Sequence, residues 1–317
     1  MAKYYEKIAD TKSITKEEWL EFRKSGIGGS DAGAVVGLNP YTSAYSVYHE
    51  KLSLVEPFEG NEKTRLGTDL EDYVAKRFEE RTGKRVRRLN AMLRSKENPF
   101  MLADVDRMIV GENAGLECKT TANHDGYKFD EGEYPAHWAC QCIHYLAVTG
   151  AERWYLCVLD LSSGKIAVIA IERDENEIKA LIQIEKRFWE NNVILQVCPT
   201  PNGDERCDEI IAEKYPQAET SAPIIDLMAY GKELARLAEV KSTIKTLENE
   251  KSVIEQTIKE CLGTSHTGEY GIYKITYKNS VSQRVDLKKL KAERHDIYAA
   301  YAVPQSVRKL LLTVKNK

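Results

Sequence analysis

The stretch GLECKTT (Gly115–Thr121) sets an acid and a lysine two residues apart within an apolar segment. Strand alternation puts Glu117 and Lys119 on one side and Leu116 and Cys118 on the other. Upstream, FMLADVDRMIV (100–110) alternates as a strand with Leu102, Asp104, Asp106 and Met108 on one face, and VGENAG is a turn. Residues 100–121 therefore predict a β-hairpin on which Asp106, Glu117 and Lys119 share a face. A solvated face with a cross-strand ion pair is the ordinary reading of such charges. The apolar flanks point instead to a hairpin central in its sheet.

Working outward, KEEWLEFRK (16–24) and the residues near Ser43 to Leu54 read as helices. Between them GIGGSDAGAVVGLNPY, with glycines 26, 28, 29 and 33, reads as a loop open to close approach of the backbone. TDLEDYVAKRFEERTG (68–83) spaces Leu70, Tyr73, Val74 and Phe78 as one helical face, with Gly83 as its stop. KRVRRLNAMLRS (84–95) reads as one basic strand. YPAHWACQCIHYLAVTG (134–150) is a helix, residues 154–171 a second hairpin turned by Ser-Ser-Gly, and residues 174–194 a long amphipathic helix. The order predicts an α+β fold, a small mixed sheet flanked by helices. This domain takes residues 1–200. Prolines 199, 201, 216 and 223 mark a linker over 201–223. A C-terminal extension, 224–317, begins with a long coiled-coil-like helix carrying Leu237, Val240, Ile244, Leu247, Ile254 and Ile258 in a 3-4 rhythm that Lys251 interrupts. GEYGIYKITYKN reads as a strand pair. The tail from Arg284 to Lys317 holds nine Lys or Arg against three Asp or Glu.

The 317 residues carry 42% hydrophobic and 30% charged side chains, ordinary for a globular protein. No apolar run is long enough for a membrane span, and MAKYYEKIADTKS lacks a signal-peptide core, so neither membrane insertion nor export is expected. Seven cysteines without repeated CxxC spacing suit reduced thiols in a cytoplasm. A net charge of −3 excludes a bulk polycation, so nucleic acid would have to meet local patches such as Lys84, Arg85, Arg87 and Arg88. The six histidines show no helical zinc spacing, and GIGGSDAG does not follow a strand as a dinucleotide loop would. Clustered carboxylates do have a use. Oxygen ligands bind Mg²⁺ or Mn²⁺, and a neighbouring lysine can hold a water or offset transition-state charge, which makes acid, acid-x-lysine a phosphodiesterase pattern.

Asp106 followed by Glu117-Cys118-Lys119 resembles the PD-(D/E)xK nuclease signature. Three further blocks resemble one branch of that superfamily, the YqaJ viral recombinase and lambda exonuclease family. They are EEWLEFRKSGIGGSDAGAVVGLNPYTSAYSVYHEKL (17–52), LGTDLEDYVAKRFEERTGKRV (66–86), and Gln141 and Tyr145 in QCIHY, which resemble the QxxxY of RecB-type nucleases. The resemblance implies a restriction-endonuclease-like core. Asp106, Glu117, Glu71 and the backbone carbonyl of Cys118 would ligate one or two Mg²⁺ ions, with Mn²⁺ as an alternative. Lys119 would position or deprotonate the attacking water, Gln141 would orient the site with Tyr145 in support, and Arg23 and Ser30 would hold a DNA 5′ phosphate. The usual proline before the aspartate is Val105 here, and Asp104 lies two residues earlier on the same face; spacing favours Asp106. Glu71 could instead close a capping box with Thr68, and Ser30-Asp31 could be a plain helix cap. Cys198 and Cys207 are too isolated for an iron–sulfur cluster, and none is expected.

The resemblance further implies a 5′-to-3′ exonuclease on double-stranded DNA ends that leaves 3′ single-stranded tails. A single-strand annealing protein of the RecT or Bet type would take up the tails. The nuclease would form a homo-oligomeric ring in the cytoplasm of a bacterial host, as a phage or prophage product. The alternatives are a PD-(D/E)xK endonuclease of repair or restriction and a non-catalytic DNA-end-binding scaffold.

Overall fold

A computed structural model describes residues 3–56, 60–219, 221–304 and 307–314. It divides into two units, residues 1–215 and 216–317. The first is built on a five-stranded sheet of order β2 (Val86–Arg87), β5 (Arg107–Ile109), β6 (Ala114–Thr121), β7 (Arg153–Asp160) and β8 (Lys165–Glu172). The β6–β7 pair is parallel and the others antiparallel, so the sheet is mixed as expected. A smaller sheet pairs β1 (Tyr5–Asp10), β3 (Ala91–Ser95) and β4 (Leu102–Asp104).

Alternation along β7 explains how both faces are covered. Trp154, Leu156 and Val158 enter one core with Leu146 and Val148 of α5 (Ala136–Thr149). Tyr155, Cys157 and Leu159 enter a second with Val74, Ala75 and Phe78 of α4 (Glu62–Thr82). On β6, Leu116 and Cys118 join the α4 core, so Glu117 and Lys119 are turned to the α5 side. Gly115 is required there, because a Cβ would stand 2.3 Å from the Trp154 indole.

Three local expectations are corrected. Residues 84–95 and 100–110 are not two continuous strands. Each splits, β2 and β5 joining the large sheet and β3 and β4 the small one, so the chain passes between sheets at Val105-Asp106. The glycine-rich run is not a loop throughout, because its middle is a helix, α2 (Gly29–Val35), packed on α5. Its glycines permit contact between helices. A Cβ at Gly29 would lie 2.4 Å from the Tyr145 ring, and one at Gly33 2.7 Å from His137 Cβ. The proline-rich stretch expected as linker contains α7 (Glu205–Lys214), whose Cys207 and Ile210 are buried with Tyr45 and Val55. Tyr45 belongs to α3 (Ala44–Lys51), α1 spans Lys16–Lys24, and α6 spans Glu175–Phe188.

The second unit contains α8 (Gly231–Leu262), the antiparallel pair β9 (Thr267–Tyr270) and β10 (Tyr273–Thr276), and short helices α9 (Leu287–Glu293) and α10 (His295–Tyr301). Part of the basic tail, residues 305–306 and 315–317, lies outside the described residues.

Candidate active site

Glu117 is buried within the sheet, and its Oε1 accepts from Lys119 Nζ at 2.7 Å and from Gln141 Nε2 at 2.7 Å. Lys119 also donates to Gln141 Oε1 at 2.8 Å. Gln141 thus clamps both residues of the acid-x-lysine pair, and Tyr145 fixes the clamp. Its hydroxyl accepts from Gln141 Nε2 at 3.0 Å and donates to the Asp104 carbonyl at 3.1 Å. Gln141 and Tyr145 are one helical turn apart on α5, so they reach the site together. Asp106 stands where the chain crosses between sheets, and its Oδ2 accepts the Cys118 backbone N–H at 2.8 Å. Asp104 points elsewhere, its Oδ2 accepting from Trp19 Nε1 at 2.8 Å.

The electrostatics are strained by design. Burial, then the charges of Glu117 and Glu71, push the Asp106 carboxyl well above its ordinary range. Burial also raises Glu117, with the Glu71 charge adding to it and Lys119 and Gln141 opposing. For Lys119, burial works against the ammonium, but the charge and hydrogen bond of Glu117 outweigh it and raise its pKa. Glu117 Oε2 is buried without a hydrogen-bond partner. An orphaned oxygen and crowded carboxylates with an all-oxygen donor set suit a hard divalent cation. Among the described residues, no group of three His, Cys, Asp or Glu stands ready to hold a metal ion. Glu71, on α4, is instead engaged by Arg107, which also binds Asp72 and the Asp106 carbonyl. The α4 cap is Asn61, which leaves Glu71 in the helix interior and removes the capping-box reading.

A second polar cluster lies on α1, α2 and α3. Arg23 Nη2 donates to Ser30 Oγ at 3.1 Å and to Asp31 Oδ1 at 2.6 Å. Asp31 Oδ2 accepts from Lys51 Nζ at 2.7 Å and from the Gly28 N–H at 2.9 Å. Ser30 is therefore not the cap of α2. Gly28 holds that position, and Asp31 closes it. Burial would raise the Asp31 pKa, but Arg23 and Lys51 reverse it and lower it.

Over residues 18–152 the sequence matches a YqaJ-like viral recombinase domain. It is 36% identical over 301 residues to the uncharacterized protein YqaJ of Bacillus subtilis (strain 168), covering 94% of each chain. The chain belongs to the YqaJ family. Among solved structures, an alkaline exonuclease from Laribacter hongkongensis aligns at 18% identity and TM-score 0.49, over 57% of this chain and 94% of that one. A phage-related exonuclease from Haemophilus somnus 129PT aligns at 14% identity and TM-score 0.43, over 54% and 96%.

The YqaJ-like domain contains every site residue named from the sequence. Glu117, Lys119, Gln141 and Tyr145 form one hydrogen-bonded network, and Arg23 meets Ser30. Glu71 comes near the carboxylates but is held by Arg107. Sequence reading missed Arg107, Lys51 and Trp19, and it gave Asp31 only as part of a helix cap, which it does close at Gly28. Lys51 looks like an ordinary helix-surface charge in the sequence and Asp31 like a cap residue, and only the packing of α2 against α3 buries them together. Arg107 had a usable signal, a cation directly after the aspartate and on the opposite strand face. Of the basic patch, Lys84 and Arg88 are engaged by Glu112 and Asp72, while Arg85 and Arg87 are exposed.

Proposed function

We propose that this YqaJ-family chain is a metal-dependent deoxyribonuclease that digests duplex DNA from its ends, 5′ to 3′, leaving 3′ single-stranded tails. The observation that carries this reading is the network of buried Glu117 and Gln141 with half-buried Lys119 beside Asp106, with one Glu117 oxygen unsatisfied. Two carboxylates with raised pKa values and a lysine at hydrogen-bond distance make a pattern for phosphodiester hydrolysis. Asp106, Glu117 and the Cys118 carbonyl would hold Mg²⁺ or Mn²⁺, one or two ions, and Glu71 would join them by exchanging its Arg107 partner. The ion, when bound, supplies Lewis acidity toward the phosphate and a more acidic water.

The chain's own groups do the rest. Gln141 keeps Glu117 and Lys119 in register, and Tyr145 keeps Gln141 from rotating. Lys119, protonated in the resting network, offers positive charge to a developing phosphorane. With Glu117 and Asp106 both committed to a cation, burial would act on Lys119 with far less opposition, which suits it to position a water and take its proton. Arg23, with Ser30, is the anion-facing part of the second cluster, and there it would meet a terminal 5′ phosphate, which favours an end-dependent enzyme. A ring of copies and an annealing protein of the RecT or Bet type, in a bacterial cytoplasm, complete the reading in phage-type recombination.

The test uses linear 5′-phosphorylated, nicked and closed circular duplex, each with Mg²⁺ and with EDTA. Digestion of the linear substrate alone, lost in EDTA and in Lys119→Ala, is expected. Cutting of closed circles would replace the reading with an endonuclease. Binding of ends without digestion would replace it with a scaffold.

A further inference from the structure

The 32-residue helix α8 buries none of its residues. At 1.5 Å per residue it is roughly 48 Å long. Ile244, Leu247 and Ile254 on it are each half exposed or more. A solvated helix has no reason to keep an apolar seam of this length, broken only at Lys251. In heptad terms Leu237, Ile244, Lys251 and Ile258 take the a positions, and Val240, Leu247, Ile254 and Cys261 the d positions. The flanking e and g charges decide what the seam fits. In a parallel pair, Arg236 would meet Lys241 and Glu250 would meet Glu255, twice each, and the two Lys251 would share a layer. All of these contacts are between like charges.

An antiparallel pair changes that set. The layers become Leu237 with Cys261, Val240 with Ile258, Ile244 with Ile254 and Leu247 with Lys251. Lys241 of each copy then meets Glu255 of the other. At the centre the two Glu250 approach on one flank, where each is close to the other copy's Lys251. Glu248 meets its own copy on the opposite flank, the one like-charge contact without a compensating cation. The balance of charge therefore favours the antiparallel register over the parallel one.

We propose that α8 is a dimerisation helix whose occupant is α8 of a second copy, running antiparallel with Leu237 opposite Cys261. The contact is two-fold, so it joins two copies and does not close a ring. It is independent of the catalytic reading, since no residue of the candidate site takes part.

Cys261 is exposed, and in this register it stands roughly 36 Å from its own counterpart. The full chain with Cys198→Ser, which removes the other exposed thiol, is oxidised with diamide and run on a non-reducing gel. Leu237→Cys is expected to give a covalent dimer with Cys261 in most of the chain, lost again on adding Ile244→Asp. The unsubstituted background is expected to stay monomeric on the gel. So is Ser242→Cys, which faces away from the seam. A Cys261–Cys261 dimer in the background would mean a parallel pair and would overturn the proposal. Failure of Leu237→Cys to cross-link, or equal cross-linking by Ser242→Cys, would overturn it as well.

Discussion

Asp31 and Glu117 are buried carboxylates, Asp106 beside Glu117 is half-buried, and the surroundings of Asp31 and of the Asp106–Glu117 pair are opposite. Asp31 receives Arg23, Lys51 and a backbone N–H, and its pKa is lowered. Asp106 receives one backbone N–H and faces two further carboxylates, and its pKa is raised. The lysines mirror this. Burial wins at Lys51 and lowers its pKa, whereas Glu117 wins at Lys119 and raises it. Burial alone therefore does not define a role. What differs is whether the protein itself supplies the countercharge. Around Asp31 it does, which makes a structural knot. Around Asp106 and Glu117 it does so only in part, and on the proposed function a cation from solution would supply the rest.

The sharpest way to break this contrast is to exchange the lysines. Lys119→Ala is expected to lower digestion of linear duplex by about 10³-fold, within the range for loss of a general acid–base group, with little change in melting, because Glu117, whose pKa is already raised, can take up a proton once the ammonium is gone. Lys51→Ala is expected to act through folding, because it strips a buried carboxylate of one of its two cations. If Lys51→Ala folded normally and Lys119→Ala melted early, the assignment of the two clusters would be reversed.

Asp31→Asn comes next in size. It leaves Arg23 and the buried Lys51 without their shared anion, and breaking such a pair costs on the order of 3–5 kcal/mol. Urea unfolding followed by tryptophan emission measures it cleanly, since Trp19, Trp138, Trp154 and Trp189 all lie in the first unit. A loss under about 1 kcal/mol, the level of an exposed pair, would show that Asp31 is not the knot. Gly29→Ala should cost about 1–3 kcal/mol by overpacking against Tyr145. It should also slow digestion, because Tyr145 secures Gln141. Loss of stability at full activity would separate Tyr145 from the site.

How much of this the sequence showed follows from the range of the interactions. Alternation on GLECKTT put Glu117 and Lys119 on one face, and the structure has them there. The mixed sheet, the flanking helices and both hairpins were legible because hydrophobic period is local information. Residues 100–110 kept their alternation, yet the strand changes sheets at Val105-Asp106, and no local pattern encodes which neighbour a strand pairs with. The glycine run misled for a related reason. Glycine reads as loop in isolation, while here it admits Tyr145 and His137 against a helix backbone. The cradle of Asp31 and Lys51 was invisible because its members, twenty residues apart, meet only through tertiary packing.

The smallest predicted effect is the one that tests the contrast most directly. Asp106→Asn removes one of the crowded charges while an amide oxygen can still accept the Cys118 N–H. In EDTA, the substitution should stabilise the first unit at neutral pH, because it removes a charge that burial and the neighbouring Glu117 and Glu71 disfavour. The sign follows from linkage. A carboxyl whose folded pKa lies above its unfolded value of about 4 binds more protons in the native state between those values, so stability falls as pH rises through that window. The advantage of Asp106→Asn over the parent should therefore be absent near pH 4, grow as pH rises, and level off above the folded pKa. Asp31 has the opposite sign, its contribution being complete above the unfolded value and lost as pH falls through the lowered folded one. Adding Mg²⁺ at neutral pH should raise the melting temperature of the parent and leave Asp106→Asn unmoved. Parallel stability–pH curves for parent and variant would mean that Asp106 is already neutralised within the protein, and the distinction between the two clusters would fall.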